Sequence, residues 1–397
     1  MSPTVLRGIT WDHVRGYGGL RATADAYARE RPGVTVEWSV RSLQAFADHP
    51  VDDLARTFDL IYLDHPAIGY AVGRECLVDL DDRLDAAVLD DQARASVGRS
   101  AESYVWEGRR WALATDAAAQ VAAYRADLME RAGVAVPSTW DEVIGACDAL
   151  RAAGLWAALP CGPVDSFCAF LAVCCALGEE PCARGNDRVV SRGTGRSALQ
   201  LMRSVVERCH PSSPTWNPPT LLEHMSSEDD VAYSPLAFGY SNYARQGFRP
   251  HVVRAARSPA GPDGVPRGTL GGAGLAVSVH SNAVEESVRY AAFVARPDIQ
   301  CTAYFEGGGQ PGHRSAWEDD GVNAASAGFF AETLGALDAA YLRPRYDGFL
   351  RFQEAGGELV HAFLVECGDE GDVLDRLNRA YRASMDAGLS TSGAEKG

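Results

Sequence analysis

The stretch Phe58-Asp59-Leu60-Ile61-Tyr62-Leu63-Asp64-His65-Pro66 decides how this chain is read. Its mostly apolar first six residues suit a strand covered on both faces, and Asp64-His65-Pro66 ends it. Toward the amino terminus, Val34, Val36, Trp38 and Val40 alternate with polar residues, as a half-buried strand does. Before them Leu20, Ala24, Tyr27 and Ala28 recur at helical spacing, and Pro32-Gly33 stops that helix. Val5 to Thr10 is a further strand, which runs into the loop Trp11–Gly19. Strand, helix, strand, helix, strand predicts an α/β fold whose parallel sheet carries helices on both sides.

Downstream, Trp106 to Leu113 reads as a strand pair through the turn Glu107-Gly108, and Ala119 to Tyr124 as a second strand beyond Thr115-Asp116-Ala117. Ser138 is predicted to cap a helix, with Asp141 three residues on and Val143, Ile144, Cys147 and Leu150 on one face before Gly154. Helices are expected around 166–177 and 195–208. Pro211 to Pro219 reads as a rigid polar loop. A strand follows within Val231–Tyr240, another from Leu275 to Val279, and a helix from Val284 toward Pro297. Ile299 to Phe305 begins a further helix that Gly307-Gly308-Gly309 breaks, and the small polar residues after Ala387 read as a frayed tail.

The chain has 397 residues, enough for two or three domains, with 46% hydrophobic and 23% charged residues, so a packed globular body is expected. A formal net charge of −16, with no basic run, argues against a nucleic-acid partner. The single lysine is Lys396, which excludes a Schiff-base or P-loop lysine in the folded body. No run reaches the roughly 18 apolar residues of a membrane span, so no membrane insertion is expected. Met1 to Arg7 lacks the pattern of a secretory leader. Ten cysteines include the vicinal pair Cys174-Cys175 and no CxxC, which points to reduced, buried thiols and not to a zinc site. Together these predict a cytoplasmic protein, with no cofactor and no metal site expected.

Several segments, in order, resemble the family of extracellular solute-binding proteins of ABC importers, the type that binds sugars. They are Asp59–Asp64, Trp111–Ala117 with Ala123–Leu128, Gly133–Ala149 with Val136-Pro137-Ser138-Thr139-Trp140-Asp141-Glu142, Gly271–Val277, and Gly308–Pro311. The resemblance implies a periplasmic-binding-protein-like fold: two doubly wound lobes joined by a hinge, with a ligand cleft between them. It divides the chain into 1–115 as the first part of lobe I, 116–269 as lobe II, 270–312 returning to lobe I, 313–388 as lobe II and closing helices, and 389–397 as a disordered tail. The partner it implies is a small polar or aromatic solute, and an importer permease only if a leader has been removed.

Candidate site residues follow from that cleft. Asp12-His13 and Asp64-His65 both fall at strand ends. Two imidazoles beside carboxylates suit cofactor-independent acid/base catalysis of isomerase, lyase or hydrolase type. The plainer reading is hydrogen bonding to a polar solute, or capping of the next helix. Asp116 lies at the lobe crossing. Trp11, Tyr17, Tyr70, Tyr233, Tyr240 and Tyr243 offer ring faces for sugars or arenes, with buried core as the plainer reading. Arg15 suits a bidentate clamp on an anion. Gly272 and the flexible loop holding Gln310 allow close approach to a ligand. Cys168, near a helix start, is a structural thiol before it is a nucleophile.

Overall fold

The computed structural model describes residues 3–43, 51–366 and 368–393, with backbone alone for 387–393. Its strands are β1 (Thr4–Trp11), β2 (Val34–Arg41), β3 (Leu60–Leu63), β4 (Val105–Trp106), β5 (Arg109–Arg110), β6 (Leu113–Tyr124), β7 (Trp156–Ala157), β8 (Val231–Phe238), β9 (Arg254–Ala256) and β10 (Leu270–Val277). The helices that matter here are α1 (Val14–Glu30), α2 (Trp140–Ala152), α3 (Pro163–Ala176), α4 (Arg192–Val206), α5 (Pro218–Ser227), α6 (Val284–Ala295), α7 (Phe349–Glu366) and α8 (Glu370–Gly393).

β1 lies between β2 and β3, both parallel to it, as the alternating pattern predicts. β10 then runs antiparallel to β3, so the sheet is mixed. β6 is the shared element of the two lobes. Its Leu113–Ala119 half pairs with β10, whereas its Gln120–Tyr124 half pairs with β8. The sequence suggests two strands broken near Asp116. One twelve-residue strand forms instead, buried along almost its whole length, so no alternation marks a break.

In lobe I, α1 and α6 cover one face of the sheet through Leu20, Tyr27, Val288 and Tyr290. The opposite face packs Ile9, Ile61, Leu63 and Ala276 on Ile68 and Leu77. In lobe II, α2, α3, α4, α7 and α8 close over β8 through Cys147, Phe167, Phe170, Leu199, Val360 and Leu377. Nine cysteines among the described residues are free, and eight of them are buried, as small hydrophobes would be. Cys367 and Lys396 lie outside the described residues. The backbone is helical to Gly393, beyond the predicted break at Ala387.

Three local readings need correction. The cap of α2 is Thr139, not Ser138. A reciprocal capping box joins Thr139 to Glu142, whose Oε2 also accepts from the Ser138 N–H at 2.8 Å. Pro218 and Pro219 open α5 and do not extend the loop, because Asn217 accepts from Thr220 N at 2.9 Å and a proline suits the first helical turn. β10 begins at Leu270, since its glycines leave room for neighbouring rings. A Cβ on Gly271 would stand 2.8 Å from Phe238, and one on Gly274 2.6 Å from Tyr104.

Candidate functional site

Two ion pairs lie near the ends of β1, β3 and β8 and the middle of β6, one buried on both sides and one whose carboxylate is partly exposed. The first is Arg15–Asp116. His13 caps α1 by accepting from Arg15 N through Nδ1 at 3.0 Å, which fixes the first turn. From that turn Arg15 donates Nε to Asp116 Oδ2 at 2.9 Å and Nη2 to Asp116 Oδ1 at 2.5 Å. Its Nη1 donates to Gly239 O, 3.0 Å away at the end of β8. The guanidinium lies 4.6 Å from the Tyr240 ring centroid. One side chain thus ties α1, the crossing strand and lobe II together. Burial opposes its charge, but the Asp116 carboxylate outweighs burial and raises the Arg15 pKa. Burial likewise pushes Asp116 up and Arg15 pulls it back, and the forked bonds keep the pair ionic.

The second pair is Asp64–Arg343. Arg343 Nη2 reaches Asp64 Oδ2 at 2.8 Å and Oδ1 at 3.1 Å, and its Nη1 donates to Gln353 on α7 at 2.7 Å. Burial would raise the Asp64 pKa, but Arg343 and His65 hold it well below the usual carboxylate range. His65 is fully buried behind it. Its Nδ1 lies 3.1 Å from Asp64 Oδ1 but off the hydrogen-bond line, and its Nε2 has no partner among the described residues. Burial lowers its pKa to about 4, so the ring is neutral near pH 7.

The two Asp-His pairs therefore do not form the acid/base group expected of them. Asp12 is exposed. The His13 Nδ1 is occupied by its capping bond, so its proton sits on Nε2, 3.4 Å from Tyr243 OH. Burial, with Arg15 and Arg249 nearby, lowers its pKa to about 4. The His13 ring packs edge-on against Tyr240, with centroids 4.8 Å apart. Among the described residues no hydrogen bond or ion pair joins it to His65, whose charged neighbours are Asp64, Arg343 and Arg345.

The remaining expected residues divide. Trp11 stacks on Tyr62 at 5.7 Å beneath Arg15, and Tyr240 and Tyr243 flank His13. Gln310 is a strut: Oε1 accepts from Ser241 N at 2.8 Å and Nε2 donates to Ala117 O at 2.7 Å, tying the glycine loop to both lobes. Gly272, with φ +103°, lets β10 approach Asp116, whose carbonyl would stand 2.5 Å from a Cβ there. Three tyrosines stand elsewhere. Tyr233 is buried in the lobe II core, because its place on β8 turns it inward. Tyr70 donates to Asp52 at 2.9 Å under the Arg74 guanidinium. Tyr17 sits under Arg21 on the outer turn of α1.

Two residues that the sequence reading passed over belong here. Arg343 completes the Asp64 pair. Asp165, in the first turn of α3, lies within the electrostatic reach of Arg343 and Tyr240. Burial pushes its pKa up to about 7. The only sequence signal for it was its place just after Gly162-Pro163, at a helix entry. Cys168, one turn on, is no nucleophile: burial pushes its thiol up to about 12.

Beside Tyr243 an open groove of about 510 Å³ is lined by Trp216, Pro219, Thr220, Glu223 and His224. Behind it, His210, His224 and Asp230 bring ligand-type atoms within 4.8 Å of one another. His210 accepts from Ser212 N through Nδ1 at 3.1 Å, which leaves its proton on Nε2 facing Asp230. His224 Nε2 lies 2.7 Å from the same carboxylate, so both imidazoles face Asp230.

The profile of the bacterial extracellular solute-binding protein family matches residues 22–331. None of the curated proteins matches the chain. Among solved structures, the maltose-bound MalE3 of T. maritima is 20% identical, with a TM-score of 0.82 over 96% of this chain and 99% of that one. A ribitol-bound ABC transporter solute-binding protein of Agrobacterium radiobacter is 18% identical, with a TM-score of 0.82 over 96% and 99%. The GacH receptor of Streptomyces glaucescens is 18% identical, with a TM-score of 0.80 over 97% and 99%. These likenesses show a two-lobed periplasmic-binding fold. With the profile spanning most of its length, the chain belongs to the bacterial extracellular solute-binding protein family.

Proposed function

We propose that this chain captures a small polyhydroxylated solute in the cleft between its lobes. The observation that carries the reading is the pair of arginines Arg15 and Arg343, which hold Asp116 inside β6, Asp64 just past β3 and the Tyr240 ring just past β8. Carboxylate oxygens accept hydroxyl protons, and a ring face covers the apolar side of a sugar or polyol. The maltose and ribitol named for two of the similar structures support the same class. Closure would turn on β6 and the return at β10, with the lobes divided near 115/116, 269/270 and 312/313.

Thermal shift followed by calorimetry over sugars and polyols tests this. The expected result is saturable binding that raises the melting temperature; at one hundred times Kd a ligand adds about 2.7 kcal/mol. A folded protein that binds no member of such a panel overturns the reading.

We also infer a cytoplasmic site of action, which the nine free thiols support. Fractionation should recover the protein with cytoplasmic markers. Recovery outside the cytoplasm would overturn this and make an ABC permease the recipient of the solute.

A further inference from the structure

Three elements of lobe II bring nitrogen and oxygen donors to one point. His210 lies past the end of α4, His224 in the last turn of α5, and Asp230 just before β8. Each offers one ligand atom, and the three atoms lie within 4.8 Å of one another. Ligands held tetrahedrally at about 2.0–2.1 Å from a zinc ion stand roughly 3.3 Å apart. Asp230 Oδ1 is 2.7 Å from His224 Nε2, and its Oδ2 is 3.4 Å from His210 Nε2, so small side-chain movements reach that spacing.

Packing on tryptophan sets both rings. His210 stacks on Trp216, with centroids 4.8 Å apart and planes 9° from parallel, and meets the edge of Trp156 at 5.9 Å. His224 packs on the same Trp216 at 4.6 Å. Asp230 differs from the other acids of this face. Arg125 holds Asp229 and Arg249 holds Glu223, whereas among the described residues no guanidinium reaches Asp230, whose side chain is joined by the two imidazoles alone. His224 lines the open groove, so a cation here has a way in and a coordination position on the water side.

A metal binds a ring nitrogen that carries no hydrogen. No group among the described residues holds Nδ1 of His224, so that ring can carry its hydrogen there and offer Nε2. In His210 the hydrogen must move from Nε2 to Nδ1, which gives up the bond from Ser212 N–H. Ser212 is only half-buried, so water can replace that one bond. The ligands are imidazole and carboxylate, so the lack of a CxxC does not bear on this site.

We propose that His210, His224 and Asp230 form a zinc-class site, which holds one divalent cation of the later first transition row with water as the fourth ligand. Imidazole selects such a cation over Mg2+ and Ca2+, which prefer all-oxygen ligands. The ion would tie the ends of α4 and α5 to β8, whatever the cleft holds.

Calorimetry on chelator-treated protein tests this. Zn2+ should bind one to one and raise the melting temperature, and Mg2+ should do neither. Asp230→Asn, which keeps the size of the side chain, and His224→Gln should each weaken Zn2+ by at least about tenfold, the lower end of what even outer-shell changes cost. His280→Gln, at an exposed site in lobe I, should leave the affinity unchanged. Co2+ in place of Zn2+ should show no sulfur-to-metal charge-transfer band, which separates this site from the cysteines. No Zn2+ binding to folded protein, an affinity that survives either variant, or a sulfur band from bound Co2+ overturns the proposal.

Discussion

Replacing Arg15 with alanine should cost about 3–5 kcal/mol of folding stability, because it leaves a buried carboxylate without its counter-charge. The Asp116 side chain is wholly buried, and both of its oxygens accept from Arg15. The change would also strip Gly239 O of its donor and Tyr240 of its cation. Urea denaturation monitored by tryptophan fluorescence is the measurement, with a large fall in the midpoint expected. The double change Arg15→Met with Asp116→Leu should recover most of the loss, since apolar residues of similar size often replace a buried ion pair at little cost. A double variant as unstable as Arg15→Ala would mean that the pair's own attraction, and not the stranded charge, dominates. The recovered double variant should still fail to bind solute, because the carboxylate at the lobe crossing is gone.

That ion pair also shows what a sequence conceals. Lobe I is legible because its strands and helices announce themselves in consecutive segments. Tyr62 and Leu63 lie in an apolar run, and Leu20, Ala24 and Tyr27 on one helical face. β6 is not legible as one strand, since Asp116 sits inside it as a buried charge where a pattern reading expects a break. Its partner Arg15 is 101 residues away, and Arg343 is 279 residues from Asp64. No local spacing reports such pairings. Adjacency misled in the opposite direction. In Asp12-His13 and Asp64-His65 the neighbours look like proton-transfer partners, yet His13 and Asp64 are occupied as caps, tasks that strand-to-helix turns favour at those positions. Asp165 went unread because an acid in a first helical turn is ordinarily a dipole partner. The Arg343 charge that acts on it comes from 178 positions further along the chain, which no local spacing reports.

Acidification should destabilise this protein well before its ordinary carboxylates titrate, with His65 as the main cause. Burial sets the His65 pKa at about 4 in the native state, against 6.5 for an unperturbed histidine, and Asp64 only partly opposes the shift. As pH falls through about 6.5 the unfolded chain takes up a proton that the native state refuses. The contribution of His65 is therefore full above that pH and is lost progressively down to about pH 4, partly offset by Asp165, whose pKa raised to about 7 lets the native state take up its proton before the unfolded chain does. A gap of that size corresponds to about 3 kcal/mol by the lower limit. His13 shifts in the same direction and adds a smaller part, since it is only half-buried and water reaches it. Below pH 4 a further loss begins, because Asp64 is held ionised by Arg343 and resists protonation more than it does in the unfolded chain. The measurement is the urea midpoint at half-unit steps from pH 7.5 to 4. His65→Gln should flatten the profile between 6.5 and 4 whatever it does to absolute stability, whereas His280→Gln, at an exposed site, should leave the shape alone. A His65→Gln profile parallel to that of the parent would show that the buried imidazole is not what makes the fold acid-sensitive.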